Sequence, residues 1–146
     1  MITQLFKDTL LPAGFDEARE GSPLYLCPIP AGWPSPAEDY IEDTLDLHKF
    51  AVRNEAATFF LRASGDSMIG AGILDGDILV VDRSISPVSG KIVIAAIDGE
   101  LTVKRLSKKG KRLLLIPENP NYEPIDITHH EDTRIWGVVT FALHSL

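Results

Sequence analysis

The segment KIVIAAIDGELTVKRL, residues 91–106, decides the fold class of this chain. Two runs of β-branched and apolar residues flank Asp98-Gly99, a dipeptide typical of the two-residue turns that connect antiparallel strands. The segment therefore predicts a β-hairpin, in which Lys104 lies in the middle of the second strand.

Similar runs occur on both sides of this hairpin. Each is short, apolar or β-branched, and bounded by turn residues. They are TFFLRAS (58–64), DILVVD (77–82), KRLLLIP (111–117) and RIWGVVTFAL (134–143). We expect SKKG, which follows the first hairpin, to close a second one. With no internal repeat or low-complexity tract, the pattern predicts a mostly β domain of antiparallel strands.

The N-terminal part has a different character. Residues 1–34 are short apolar pieces interrupted by glycines and prolines, which predicts an extended arm. The following SPAEDY indicates the start of a short helix, because Ser35 and Glu38 form a capping box. Its apolar pattern ends by His48. We therefore divide the chain into an N-terminal arm and a β-rich domain, residues 35–146.

Composition limits the classes of function. The chain has 146 residues, of which 45% are apolar, and this is enough for the core of one domain. Its net charge is −7, and no basic face stands out, so we expect no direct sequence-specific DNA binding. The single cysteine, Cys27, excludes an internal disulfide and fits a reducing compartment. No apolar run is long enough for a membrane span, so we expect a soluble, cytoplasmic protein without a membrane anchor.

A lone serine lies in the segment FLRASGDSMIGAGILDGDILVVD, residues 60–82. Ser67 occupies a glycine-flanked break between two apolar runs. The elbow pattern G-x-S-x-G fails at its last position, since the chain reads G-D-S-M-I. A turn or helix-cap role for this serine stays open. A triad would need a histidine, but the four histidines lie in no recognisable motif, which favours surface roles. They are His48, His129, His130 and His144.

A lysine can replace the histidine if its amine is neutral near pH 7. This requires lowering a pKa of about 10.4 by roughly three units, which burial among apolar side chains can supply. Lys104 is the best candidate because it lies within an apolar strand. Lys108, Lys109 and Lys111 crowd a polar hairpin tip instead. Strand alternation alone also allows an exposed Lys104.

Several blocks of the sequence, taken together, resemble one peptidase family. ASGDSM, GILDGDILVVD, IVIAAIDGELTVKRL, LIPENPNYEPI and WGVV are similar, in order and spacing, to the LexA/UmuD self-cleaving peptidases. The resemblance covers residues 30–142. It implies a LexA/UmuD-like peptidase core of antiparallel strands with short helices and an extended N-terminal arm.

The resemblance also implies the roles of individual residues. Ser67 and Lys104 stand at the positions of the family's Ser-Lys dyad, and the main-chain N–H groups of Asp66 and Ser67 would hold the oxyanion. No metal or cofactor is needed. The family cuts itself between a small residue and glycine, which in this chain are Ala31 and Gly32. Cys27 is a poor alternative because it precedes a proline.

The length of the arm selects a branch of the family. The 31 residues before the bond are too few, and not basic enough, for the winged-helix DNA-binding domain of LexA-type repressors. The resemblance therefore points to the UmuD branch. It implies self-cleavage in the SOS response, promoted by a RecA filament on single-stranded DNA. The processed homodimer would then act as the regulatory subunit of a UmuC-type translesion polymerase. Two alternatives stay open: a non-cleaving interaction module of the same fold, and an antirepressor or truncated phage repressor.

Overall fold

The computed structural model describes residues 21–25, 29–34 and 41–146. The chain divides into two units, Met1–Phe50 and Ala51–Leu146. In the described part of the first unit, strands β1 (Ser22–Tyr25) and β2 (Ile41–Leu45) pair antiparallel. A short helix, α1 (Leu47–Ala51), follows β2.

The prediction of a short helix that starts in SPAEDY is wrong over residues 41–45. These residues form β2, and Leu45 lies opposite Ser22 of β1. The capping residues Ser35 and Glu38, like Cys27, lie outside the described residues. A capping box offers only a local preference, and cross-strand pairing with a distant segment overrides it.

Seven strands form one antiparallel sheet in the second unit, which confirms the predicted mostly β fold. Their order across the sheet is β3-β4-β9-β5-β6-β7-β8. The strands are β3 (Thr58–Arg62), β4 (Ile78–Asp82), β5 (Ile92–Ile97), β6 (Glu100–Lys109), β7 (Arg112–Ile116), β8 (Ile125–Asp126) and β9 (Thr133–Leu143).

The hairpin between β5 and β6 is the one that the sequence predicts. Asp98 and Gly99 have φ angles of 49° and 83°, the left-handed values that such a two-residue turn requires. The next hairpin turns later than expected: β6 runs on to Lys109, which pairs with Arg112. The first three residues of SKKG, 107–109, belong to β6 because they pair with residues of β7.

The sheet carries a hydrophobic core on both faces. Ile94 of β5 belongs to one buried cluster, together with Met68 and Leu79. Its neighbours Val93 and Ala95 belong to a second cluster. Successive strand residues point to opposite faces, so both faces of β5 are covered.

Helices contribute little to the described part of the chain. Besides α1, Glu55–Ala57 and Ile69–Ala71 each form a 3-10 turn. The second of these lies in the segment MIGAGI, residues 68–73, directly after Ser67. Among the described residues, no helix combines the length and apolar character that crossing a membrane demands.

Candidate active site

Ser67 lies in the loop that connects β3 to β4. The loop closes on itself, since Ala63 N–H donates to Asp77 O at 2.8 Å and Gly76 N–H donates to Ala63 O at 2.9 Å. Met68, the residue after the serine, is only 2% exposed and anchors the loop in the core. Ser67 itself is half-buried. The loop thus holds the serine in a fixed place while leaving its hydroxyl accessible.

A second segment, residues 118–122, holds the serine loop from the other side. Glu118 N–H donates to Ser67 O, and Gly70 N–H donates to Glu118 O, both at 2.8 Å. The approach is so close that a Cβ on Gly70 would lie 2.6 Å from Glu118 O, so glycine is required there. These bonds fix the main chain at the serine and three residues after it.

Asp66 is tied to the same segment. The amide of Asn119, a buried residue, donates to Asp66 O at 2.9 Å. The Tyr122 hydroxyl donates to the Asp66 carboxylate, and this hydrogen bond raises the pKa of Tyr122. Sequence reasoning missed both residues, because nothing in the local pattern at 118–122 indicates a contact with a loop more than fifty positions earlier.

Lys104 is buried, with 8% of its surface exposed. Its Nζ lies 3.1 Å from Ser67 Oγ, 2.7 Å from Thr102 Oγ1 and 3.0 Å from Val103 O. The structure therefore brings the two predicted dyad residues into hydrogen-bonding distance. Lys104 is therefore not the exposed strand lysine that alternation also allowed.

The neutral amine of Lys104 can make all three contacts. A neutral amine has two N–H donors and one lone pair. Val103 O is only an acceptor and takes one N–H, and Thr102 Oγ1 can take the other. The lone pair is then left for the hydroxyl proton of Ser67. Thr102 was not predicted, although a residue two positions from Lys104 on a strand shares its side.

Burial lowers the pKa of Lys104 from its ordinary value. The cause is desolvation, which penalises the ammonium form. Within residues 51–146, no carboxylate forms an ion pair with this lysine, so no paired charge from this part of the chain opposes the shift. Burial therefore increases the fraction of Lys104 that is neutral near physiological pH.

A cleft of about 270 Å³ opens beside the two side chains. Most of its walls are apolar, and the basic residue Arg62 lines it together with Lys104. The Arg62 guanidinium donates to Gly76 O at 3.0 Å. The cleft is lined by Leu61, Arg62, Ala63, Ser64, Ser67, Leu79, Ile94, Leu101, Thr102, Val103 and Lys104.

The main chain at the serine has free donors. Neither Asp66 N–H nor Ser67 N–H donates a hydrogen bond within the described part of the chain. Amides left free beside a nucleophile are the usual way to hold an oxyanion.

Ala31 and Gly32 belong to the first unit, in a stretch without helix or strand. Both residues are exposed. Ile29 and Trp33 on either side are 93% and 91% exposed, and a Cβ on Gly32 would meet nothing within 4 Å. The peptide bond between Ala31 and Gly32 is therefore sterically accessible.

Comparison with known proteins gives consistent matches. The family described as Peptidase S24-like matches residues 23–140. Protein SamA of Salmonella typhimurium is 50% identical over 88% of this chain and 89% of its own length. Protein MucA of Escherichia coli is 48% identical over 83% of each chain. The LexA repressor of Anaeromyxobacter dehalogenans is 41% identical over 88% of this chain and 59% of its own.

Proposed function

Because the chain belongs to the Peptidase S24-like family, we propose that it is a self-cleaving serine peptidase that cuts between Ala31 and Gly32. Ser67 is the nucleophile and Lys104 the general base. The observation that carries the proposal is the 3.1 Å contact between Ser67 Oγ and the Nζ of a buried lysine with a lowered pKa.

The reaction would begin with proton transfer from Ser67 Oγ to the lone pair of Lys104 Nζ. The serine oxygen then attacks the carbonyl carbon of Ala31. The carbonyl oxygen becomes an oxyanion, which the free N–H groups of Asp66 and Ser67 would hold. The ammonium of Lys104 returns its proton to the nitrogen of Gly32 as the C–N bond breaks. Water then hydrolyses the acyl-enzyme with Lys104 again as the base.

The Ala31-Gly32 segment has the properties of a protease substrate. It is exposed, and prolines at 30 and 34 favour the extended backbone that a protease cleft needs. The small side chain of Ala31 suits a narrow cleft. We propose that residues 1–34 act as the arm that carries this bond and residues 35–146 as the domain that cuts it.

We propose that the cleavage serves the SOS response to DNA damage. Similarity to SamA, ImpA and MucA over most of the chain, together with the UmuD-like blocks of the sequence, supports this role. The processed protein would then associate with a UmuC-type translesion polymerase. A RecA filament on single-stranded DNA would accelerate cleavage by favouring the docked arm, since proton transfer requires the arm in the cleft.

We further propose that the protein acts as a homodimer. Phe60 of β3 and Leu143 of β9 are 52% and 60% exposed. The register places both on one face of the sheet, opposite Val80 and Ile78 of the intervening strand β4. Large exposed apolar side chains on one face of a sheet favour its use as a subunit interface. Sedimentation of a Phe60→Asp variant, expected to be monomeric, tests this part.

The experiment that tests cleavage is intact-mass analysis of the full chain after incubation across pH 7 to 10, with and without a RecA filament. We expect a product that begins at Gly32, forms faster at higher pH and is absent from Ser67→Ala. Ser64→Ala is the matched control, since Ser64 lines the same cleft and we give it no chemical role. A chain that remains uncut under every condition would contradict the peptidase proposal. A product with another N-terminus would contradict the proposed cleavage site and leave the proposed peptidase activity standing.

A further inference from the structure

A second groove lies apart from the Ser67 cleft. It runs between the loop that joins β4 to β5 and the hairpin of β6 and β7, with a volume of about 500 Å³. Leu106, Leu113 and Ile135 contribute apolar surface, and Val88 of the loop is 53% exposed beside them. Among the residues that the structure describes, none lines both the Ser67 cleft and this groove.

The rim of the groove is positively charged. Lys108, Lys111 and Arg112 line it, and the described lining residues include no carboxylate. Arg112 pairs with Asp126 at 3.1 Å. Lys108 and Lys111 are exposed and form no ion pair with any described residue. Two unneutralised cations therefore stand together on a chain whose net charge is −7, which makes the rim attractive to anionic groups.

Hydrogen bonds hold the groove in shape. Lys108 N–H donates to Ser89 Oγ at 2.9 Å, which fixes the β4–β5 loop against β6. Leu113 N–H donates to Thr128 Oγ1 at 2.9 Å, which fixes the other wall. A preformed groove loses little conformational freedom on binding.

We propose that this groove binds a short acidic peptide segment of a partner protein. An apolar side chain of the peptide would lie against Val88 and Leu113, and flanking Asp or Glu side chains would pair with Lys108 and Lys111. A nucleic acid fits less well, because none of the described residues that line the groove is aromatic and could stack with a base. The site does not depend on the proposed cleavage.

The test begins with a selection of short random peptides displayed on phage. The immobilised target is the full chain carrying Ser67→Ala, so that it stays intact. We expect the enriched sequences to carry Asp and Glu around a Leu, Ile, Val or Phe. One enriched peptide is then synthesised with a fluorescent label, and its binding to variants is measured by fluorescence anisotropy, after thermal melting has shown that each variant is folded.

The variants separate local contacts from general charge. Reversing both Lys108 and Lys111 to Glu should weaken binding at least about tenfold, and Val88→Ser about threefold. Lys109→Glu is the matched control, because Lys109 lies on the same hairpin and outside the groove. It should change the affinity by less than about twofold.

Four results would overturn the proposal. One is a selection that yields no enriched peptide, and another is an enriched set without acidic residues. The third is binding that survives the double reversal, or falls equally with Lys109→Glu. The fourth is a single-stranded oligonucleotide that binds more tightly than the peptide and depends on the same two lysines, which would make the groove a nucleic-acid surface.

Discussion

Replacing Lys104 with methionine separates the chemistry of the site from its stability. Methionine fills nearly the same space but has no proton to exchange. Without the base, attack by Ser67 should be slower by about 10²- to 10⁴-fold, the usual contribution of general base catalysis. The rate should also no longer level off at high pH, because the group whose titration causes the plateau has been removed.

The expected change in stability is small, because two effects oppose each other. The pKa of Lys104 is lowered in the folded protein, so the unfolded chain binds this proton more tightly. Lys104 therefore lowers stability below its ordinary pKa, and methionine removes that penalty. The same change removes the hydrogen bond that Lys104 donates to Val103 O, which costs about 1–3 kcal/mol where the carbonyl is buried and finds no other donor. We expect a net change within about 2 kcal/mol.

The assay follows the first-order rate of self-processing by intact mass from pH 7 to 10.5. The parent rate should rise about tenfold per pH unit while Lys104 is mostly protonated, and it should level off below the ordinary lysine pKa of 10.5. Lys109→Met, an exposed lysine on the same strand, should behave like the parent. The reasoning is refuted if Lys104→Met is processed within about tenfold of the parent rate, or if the parent rate still climbs at pH 10.5.

Three further substitutions test the contacts that hold the serine loop and the interactions that stabilise the fold. Asn119→Ala removes the amide that holds Asp66 O, so processing should slow roughly tenfold, measured by the same rate assay. Met68→Ala leaves a cavity in the core and should lower the free energy of unfolding in urea by about 2–5 kcal/mol; a loss under about 1 kcal/mol would contradict the packing described. Hydrogen bonds from Thr128 and Arg112 lower the pKa of Asp126 to about 2, so Asp126 stabilises the fold above about pH 4 and this contribution is lost as pH falls through about 2. Asp126→Asn should therefore be less stable than the parent at pH 6, and the difference should shrink steadily as pH falls from 4 to 2, as measured by urea unfolding at each pH.

Most strands of the sheet were predictable because their signals are local. The hairpin from Ile92 to Lys109 has two β-branched runs and a dipeptide that accepts left-handed φ angles, and both features act within a few residues. The prediction failed over Ile41–Leu45, where local capping chemistry favoured a helix. There the competing partner is β1, about twenty residues earlier, and such pairing leaves no mark in the local pattern.

Some features of the candidate active site could likewise be predicted from the sequence, and others could not. The glycine-flanked Ser67 and the mid-strand position of Lys104 could be read from the sequence, and the family resemblance linked them. Their distance, the burial of Lys104 and the contact from Thr102 could not be read from it. Alternation fixes only which residues share a side of a strand, and it does not say whether that side is covered.

The sequence by itself determined the β class, the first hairpin and the residue types that can do the chemistry, because these depend on backbone preferences and functional groups a few positions apart. Only the tertiary structure decided that residues 118–122 hold the serine loop and that Lys104 is desolvated. Both outcomes come from segments distant in the chain packing together. A pKa depends on what surrounds a group in space, and a sequence lists only its neighbours along the chain.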